Sequence, residues 1–432
     1  MISPIRILFA ITDGGGTVPA DTSVIRALVA RGHEVRVLGD RVLEPDIAAT
    51  GAELIPWETA PQRAGLGAKE MVVSDWAAKT PLGAFAAARD GLMTGPADRF
   101  AHDVRAELRR APADLVVANF FLFGAQVAAE AEGVPIAMLA PNLMSLPGWG
   151  SPPLGPGLPP AGGALGRLRD GLLGSVLTHT FDRGLGALNA ARAENGLPPV
   201  DSVLDSYSRC DRLLVLTSRA FEYESYSPPA SVRLTGPRLD DPQWVGEWAP
   251  PAGDEPLVLV GMSSTFMDHA AVLQRAVDSL GRLPVRGLVT TGPAIDVAGI
   301  DAPANVTVVE SAPHSQVLPH ASAVVTHGGH GTVIKTLAAG VPLVVMPLGR
   351  DQLDNAARVV HHGAGLRLGT KASADKIAHA VSRVLEEPTF TAAAMGLQAA
   401  IEADLAEDRA VLELEALAAE TLRPEEAGLA MA

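Results

Sequence analysis

The sequence predicts an α/β protein made of two Rossmann-like domains that face each other across a cleft. The chain has 432 residues, of which 47% are hydrophobic. Single cores stop growing near roughly 250–300 residues, so a chain of this length is expected to form two domains. Short apolar segments alternate with helical ones in two successive series, which is typical of parallel sheets covered by helices.

The first series begins with a strand, a glycine-rich turn and a helix. Residues 5–12 are short and apolar, as expected for a buried parallel strand. Three glycines follow at 14–16, and Asp21 is a candidate cap for the helix after them. This order predicts a Rossmann-like unit, and residues 1–236 are predicted to form the N-terminal domain. The family resemblance described below implies that this domain binds the acceptor. The Pro/Gly-rich stretch from 142 to about 174 is predicted to be a loop, and its segment 151–163 a mobile one.

A linker is predicted at residues 237–255, which contain turn residues, Trp244 and Trp248 without any periodicity. A second strand–helix series then predicts a C-terminal domain over residues 256–405. Residues 406–432 are rich in Ala, Leu and Glu, and they are predicted to form a C-terminal helix and tail.

Composition argues against several classes of protein. The formal charge of −15 disfavours non-specific binding to nucleic acid or to an anionic membrane. A single cysteine, Cys210, excludes an intramolecular disulfide, and no Cys/His spacing indicates zinc. No signal peptide and no run of ~18 apolar residues is recognisable. We therefore expect a cytoplasmic protein, a monomer or homodimer, without nucleic-acid or membrane partners.

The most informative stretch follows the strand that ends at Thr326. Three glycines, Gly328, Gly329 and Gly331, precede a helix that starts near Thr332. Glycines let the backbone approach a ligand closely, and a helix N-terminus offers free N–H groups and a partial positive charge. Such a turn suits a diphosphate, and His327 adds a side-chain donor.

Two further segments complete this predicted binding site. Ser264 and Thr265 follow another strand and can supply hydroxyl groups to a phosphate. Asp351 and Gln352 follow the next strand along the chain, and together they can accept from and donate to sugar hydroxyls.

The stretch 311–352 resembles the donor-binding signature of GT-B glycosyltransferases of the family that includes bacterial macrolide and plant secondary-product glycosyltransferases. The matching residues are Pro313, Val317, Leu318, His320, His327, Gly328, Gly329, Gly331, Thr332, Gly340, Val341, Pro342, Pro347, Asp351 and Gln352. Residues 29–35 match the end of the family's first helix. The resemblance implies an inverting, metal-independent transfer from a UDP- or TDP-sugar to a small natural-product acceptor, without a cofactor.

The resemblance also indicates where the nucleotide base lies. The tryptophan that stacks on the base in plant members is Ser311 here, and the usual glutamine is His314. The resemblance then implies recognition by backbone groups near Ala312 and by looser packing. His330 replaces a variable residue of the signature and is a candidate donor ligand.

The catalytic pair of the family is not present in this sequence. The histidine and aspartate of the family correspond to Thr17 and Asn119 here. A threonine hydroxyl is too weakly acidic to lose its own proton, so Thr17 cannot serve as a base alone. Thr17 can still orient an acceptor. We favour Asp13, on the same turn, as the base. The alternatives are an acidic or amine acceptor that needs none, a non-catalytic nucleotide-sugar-binding helper protein, or a nucleotide-sugar epimerase of the same fold.

Two smaller expectations concern apolar and histidine side chains. Residues 120–123 (FFLF) follow a strand and suit either a lipophilic acceptor pocket or the core. His33, His361 and His362 stand at predicted helix ends and are expected to face solvent.

Overall fold

The computed structural model describes residues 3–63, 65, 71–78, 80–243, 245–246 and 248–421. The strands of these residues are β1 Arg6–Ala10, β2 Glu34–Gly39, β3 Glu53–Pro56, β4 Leu115–Asn119, β5 Ile136–Ala140, β6 Arg212–Val215, β7 Val232–Leu234, β8 Leu257–Gly261, β9 Arg286–Thr290, β10 Val306–Val309, β11 Ala321–Thr326, β12 Leu343–Val345 and β13 Gly365–Arg367. Their helices are α1 Val18–Ala30, α2 Glu44–Ala48, α3 Pro81–Ala88, α4 Ala97–Arg110, α5 Phe123–Glu132, α6 Gly163–Asp182, α7 Leu185–Glu194, α8 Ser206–Arg209, α9 Ala270–Leu280, α10 His314–Val317, α11 His330–Ala338, α12 Gln352–His361, α13 Ala374–Glu386, α14 Pro388–Leu405 and α15 Arg409–Thr421.

Two parallel sheets organise the described part of the chain, which confirms the predicted pair of Rossmann-like units. The first has the order β3-β2-β1-β4-β5-β6-β7, and the second has the order β10-β9-β8-β11-β12-β13. In each sheet the order reverses at the strand that comes first in the chain, β1 or β8. Ligands of open α/β sheets bind at the carboxyl ends of strands beside such a reversal.

The central strands are buried on both faces because helices cover each sheet. In β1 the residues from Ile7 to Ala10 are at most 1% exposed. Apolar side chains of α15, among them Val411, Leu414 and Leu417, join the same core cluster as β1 and α1. The last described helix therefore belongs structurally to the N-terminal domain, although the strands of the C-terminal domain precede it in sequence.

The Pro/Gly-rich stretch is shorter and better anchored than predicted. Helix α6 already begins at Gly163, so the loop predicted to extend to about 174 was wrong from residue 163 onward. The segment before the helix is held by the carboxylate of Asp354, which accepts from the backbone N–H of Gly155 at 2.7 Å and of Gly157 at 3.2 Å. This segment consequently packs on the C-terminal domain rather than extending freely as a mobile loop.

Two ion pairs cross the cleft. Arg358 of α12 donates to Glu222 of the N-terminal domain at 2.6 Å, and the two side chains are 2% and 0% exposed. Arg350 contacts Asp75 at 2.6 and 2.9 Å. Both pairs join the carboxyl edges of the two sheets and fix the width of the space between them.

Among the predicted solvent-facing histidines, His33 is buried. Its ring accepts from Ile5 N–H at 3.3 Å and lies 2.9 Å from Glu415 of α15. The expectation for His33 was wrong because its partner is 382 residues away in sequence. His361 is exposed and His362 is half-buried. Trp248 packs beside the C-terminal core, whereas Trp244 lies outside the described residues. No helix in the described ranges is both long and apolar enough to span a membrane.

Candidate active site

A cavity of about 600 Å³ lies between the carboxyl edges of the two sheets. This volume is typical of small-molecule sites. The C-terminal domain contributes a mainly polar half, lined by Ser263, Ser264, Thr265, Ala312, His314, His327, Gly329, His330, Gly331, Thr332, Lys335, Arg350, Asp351 and Gln352. The N-terminal domain contributes a mainly apolar half. Most of the predicted site residues are therefore brought together in one place.

The glycine turn after β11 points the start of α11 into the cavity. Gly328 has a φ of +92°, and a Cβ atom there would lie 2.6 Å from Val345. Gly329 caps the helix with no side chain, so the first backbone N–H groups of α11 face the cavity. This is the arrangement that binds a phosphate group with the helix dipole. Gly328 itself supports the turn from behind rather than lining the cavity.

His327 lies at this turn as a neutral side chain. Burial lowers its pKa to about 3, so the imidazole carries no charge near neutral pH. Its Nε2 atom is 2.6 Å from the position that a Cβ of residue 329 would occupy. His327 can therefore act on a diphosphate through hydrogen bonding, without adding positive charge.

The hydroxyl groups predicted after β8 are partly engaged already. Thr265 Oγ1 accepts from Arg350 Nη1 at 3.1 Å and lies 3.1 Å from Ser263 Oγ. Its methyl group stands 2.3 Å from where a Cβ of Gly15 would be, so the missing side chain at Gly15 lets the loops after β1 and β8 meet across the cleft. Ser264 lines the cavity beside them.

Asp351 and Gln352 stand at the start of α12. Asp351 Oδ2 accepts from Asn355 Nδ2 at 2.8 Å, and burial raises the pKa of this carboxyl. Gln352 Oε1 accepts from the N–H groups of Leu348 and Gly349 at 2.7 and 3.0 Å. The side chain of Gln352 thus binds the backbone of the loop that precedes α12. Asp351 is therefore the better placed of the two residues for contact with a sugar.

Sequence reasoning missed Asn355, which connects three parts of the site. Its Nδ2 donates to Gly328 O at 2.9 Å as well as to Asp351, and its Oδ1 lies 3.2 Å from His330 Nδ1. The spacing of four residues between Asp351 and Asn355 places both on one face of α12 and is a signal that could have identified the pair.

The predicted base-recognition residues lie at one end of the polar half. Ala312 is 4% exposed in the loop before α10. Burial lowers the pKa of His314 to about 4, with Lys335 adding to the effect, so this ring is also neutral. Lys335 is held by the carbonyl of Asp240 at 2.5 Å and by Asp241 Oδ1 at 2.9 Å. Sequence reasoning did not identify Lys335, which lies one turn beyond Thr332 on α11.

Asp13 lines the cavity, but both of its carboxylate oxygens are engaged. Oδ2 accepts from Arg63 Nη1 at 2.6 Å, and Oδ1 accepts from the N–H of Gly15 at 2.8 Å. Its own N–H donates to the buried carboxylate of Asp40 at 2.9 Å. These bonds hold the loop after β1 in place, and the role of Asp13 as a base stays a prediction.

Thr17 and Asn119 do not form a pair with each other. Asn119 Nδ2 donates to Asp21 Oδ2 at 3.3 Å, behind the wall of the cavity. Thr17 lines the cavity, and among the described residues its hydroxyl has no hydrogen-bond partner. Burial raises the pKa of Asp21 to about 7. The carboxylate next to Asn119 is therefore that of Asp21 on helix α1, and it does not belong to a residue at the end of β4.

The apolar half of the cavity is large and rich in aromatic and aliphatic groups. Its lining includes Met71, Val72, Val73, Ala84, Phe85, Leu92, Met93, Phe120, Phe121, Met144, Leu146, Leu154, Leu177 and Phe181. Phe120 and Phe121 face this cavity, whereas Leu122 and Phe123 are completely buried in the core. Residues 120–121 thus line the cavity and residues 122–123 belong to the core, and an acceptor pocket at Phe120 and Phe121 stays a prediction.

Comparison with known proteins shows the family and the fold. A family model described as erythromycin biosynthesis protein CIII-like, C-terminal domain, matches residues 275–417. The 4'-demethylrebeccamycin synthase of Lentzea aerocolonigenes is 33% identical over 396 residues, which cover 89% of this chain and 93% of that protein. The crystal structure of the glycotransferase of kitacinnamycin superposes with a TM-score of 0.76 at 24% identity, over 96% of this chain and 100% of that one. Glycosyltransferase VinC, solved in complex with dTDP, gives 0.69 at 22% identity over the same shares.

Fold and site together define an enzyme, a glycosyltransferase with the GT-B fold. The chain belongs to the family of bacterial macrolide and antibiotic glycosyltransferases. No group of three or more metal-ligating side chains occurs among the residues that the structure describes.

Proposed function

We propose that this enzyme moves a sugar from a UDP- or TDP-sugar to a small lipophilic natural product, with inversion at the anomeric carbon. The observation that carries this proposal is the contrast between the two halves of the cavity. A helix N-terminus with a glycine turn lines one half, and aromatic and aliphatic side chains line the other. A nucleoside diphosphate and an apolar acceptor require these two environments next to each other.

The chemistry proposed for this geometry is a direct displacement. The acceptor attacks the anomeric carbon as the bond to the diphosphate breaks, and negative charge grows on the leaving group. The N–H groups at the start of α11 and the neutral ring of His327 are placed to stabilise that charge. No divalent metal or other cofactor is needed for this stabilisation. The relative solved with dTDP supports a nucleoside diphosphate as the donor fragment.

The test uses the purified full chain. Thermal shift and calorimetry with TDP and UDP should show stabilisation by mass action. Transfer from TDP- and UDP-glucose to a panel of aromatic and macrocyclic acceptors is then followed by mass spectrometry. The configuration of the new bond is read by NMR. We expect a product of inverted configuration and unchanged turnover in EDTA.

Three results would contradict parts of this proposal. Turnover that is lost in EDTA and restored by magnesium or manganese would overturn metal independence. Retention at the anomeric carbon would overturn direct displacement. An absence of both nucleotide binding and transfer would reject the UDP- or TDP-sugar donor.

A further inference from the structure

The base that the family takes from the N-terminal domain has no equivalent at Thr17 and Asn119, so for an acceptor that needs a base the proton must pass to another group. Asp13, Asp21 and His330 are candidates for this role. Asp13 is engaged by Arg63 and Gly15, and Asp21 is fully buried behind the cavity wall. His330 is the third, and its ring lines the cavity from the first position of α11.

Hydrogen-bond distances favour one tautomer of His330. Asn355 Nδ2 faces two oxygens, Gly328 O and Asp351 Oδ2, so the other end of that amide must be its carbonyl oxygen. This oxygen lies 3.2 Å from His330 Nδ1 and can only accept. Nε2 also faces an acceptor, the carbonyl oxygen of Leu216, but at the longer distance of 3.4 Å, so the neutral ring favours the hydrogen on Nδ1 and the lone pair on Nε2.

No hydrogen-bond donor faces Nε2 among the residues that the structure describes. The nearest hydrogen-bonding atom recorded for Nε2 is the carbonyl oxygen of Leu216, at 3.4 Å, which is itself an acceptor. Leu216 also lines the cavity, at the end of β6 in the N-terminal domain. An acceptor hydroxyl or N–H entering between the domains would supply the missing hydrogen. His330 thus stands between the donor turn and the acceptor half.

We propose that His330 is the general base of this enzyme, oriented through Asn355 by Asp351. This inference rests on the proposed sugar transfer. As the acceptor atom bonds to the anomeric carbon, its proton passes to His330 Nε2, and the electron pair of the breaking bond leaves with the diphosphate. The resulting imidazolium is stabilised by the Asp351 carboxylate through the Asn355 amide, as in other triads of base and orienting groups.

The electrostatic surroundings keep the ring available as a base. Burial lowers the pKa of His330, and the nearby carboxylates of Asp351 and Glu222 oppose this effect. Glu222 is itself paired with Arg358. The ring is therefore neutral at pH 7. Turnover should fall as pH drops through the lowered pKa of His330, because the protonated ring cannot accept another proton.

The first experiment compares His330→Gln and His330→Ala with wild type on the acceptors found by the transfer screen. We expect turnover to drop on the order of 10²–10⁴, the usual contribution of a general base. Affinity for TDP or UDP should stay within about threefold. Added imidazole should restore part of the activity of His330→Ala, and the loss should shrink as the acceptors become more acidic.

His362→Gln is the matched control. His362 is also a partly buried histidine of the C-terminal domain that reaches a carbonyl oxygen of the N-terminal domain, Phe221 O at 3.1 Å, but it does not line the cavity. Wild-type turnover is expected in this variant. Asp13→Asn is the competing variant. Full turnover in the His330 variants, with a drop of 10²–10⁴ in Asp13→Asn, would overturn the proposal in favour of Asp13.

A second measurement does not need turnover and so separates this inference from the proposed function. NMR of the full chain with ¹⁵N-labelled histidine gives the tautomer of each ring, and the His330 signals are those missing from His330→Gln. We expect hydrogen on Nδ1 in wild type and loss of this preference in Asn355→Ala. Hydrogen on Nε2 in the wild type would reject the base even if the enzyme transfers sugar.

Discussion

At the scale of single residues, Asp21 is a buried carboxyl group beside the cavity whose charge is poorly compensated. Asp21 is completely buried and receives one hydrogen bond, from Asn119, while its second oxygen has no partner among the described residues. Burial raises its pKa to about 7, and the bond from Asn119 opposes the shift only in part. In the unfolded chain a carboxyl of this kind titrates near 3.9.

This difference predicts a pH-dependent cost to stability. Because the folded-state pKa is raised, the folded protein holds a proton that the unfolded chain has released between about pH 4 and pH 7. Stability contributed by this group therefore decreases as pH rises through that window. Asp21→Asn should raise the melting temperature at pH 8 by about 3 °C or more, and the gain should vanish near pH 4. An equal gain at both pH values in calorimetry would show that ionisation of Asp21 is not the cause.

Residue-level sequence reasoning located residues of the cavity where the signal was local. His327, Gly329 and Thr332 line the cavity, and they belong to a strand end, a glycine turn and a helix start that are adjacent in sequence. Their binding of a phosphate stays a prediction. The partners of His33, Asp13 and Asn119 could not be predicted, since Glu415, Arg63 and Asp21 reach them through tertiary packing. The separations of these partners along the sequence follow no period that would mark such contacts.

At the scale of elements, the N-terminus of α11 is the feature on which the proposed donor binding depends. Its cap residue, Gly329, has φ −59° and ψ 139°, which other residues adopt without strain. A side chain there would instead meet His327 and occupy the space in front of the first N–H groups of α11. The helix would still form, but a phosphate group could no longer approach these N–H groups.

Gly329→Leu is therefore expected to weaken TDP or UDP binding by more than about tenfold, or about 1.4 kcal/mol, in calorimetry. Gly162→Leu is the matched control. Gly162 also caps a helix with extended backbone, at φ −71° and ψ 160°, and a Cβ atom there meets no neighbour within 4 Å. Equal affinity in both variants would place the diphosphate elsewhere.

The elements themselves were largely predictable. The alternation of apolar strands and amphipathic helices identified the central strands of both sheets. Helix α6 begins inside a Pro/Gly-rich stretch, and this composition led to the prediction of a loop. Leu165, Leu168 and Leu172 recur at helical spacing, so the sequence does carry a signal for these turns, although the three side chains are exposed.

At the scale of the whole molecule, the buried pair Arg358–Glu222 joins the two domains. Arg358 also donates to Ser145 at 3.1 Å and stacks on the ring of Tyr223 at 4.4 Å. Breaking one partner of a buried pair leaves an uncompensated charge and typically costs about 3–5 kcal/mol. The domains should then unfold less cooperatively.

Arg358→Leu alone should lower stability by about this amount and broaden or split the calorimetric transition. The double variant Arg358→Leu with Glu222→Leu removes both charges and should recover most of the loss, since apolar pairs of similar volume often replace buried ion pairs. If the double variant is as unstable as the single one, the packing around Tyr223 and Ser145, rather than the charge, holds the domains together.

The path of the chain has a consequence for its synthesis. Helix α15 fills one side of the N-terminal core through Val411, Leu414 and Leu417, yet a ribosome makes it after every strand of both sheets. Domains generally fold as units while the chain emerges, at about 5–20 residues per second. The apolar face of the nascent N-terminal domain that α15 covers is therefore exposed for on the order of ten seconds or more. We expect a chaperone that acts during translation to bind this face.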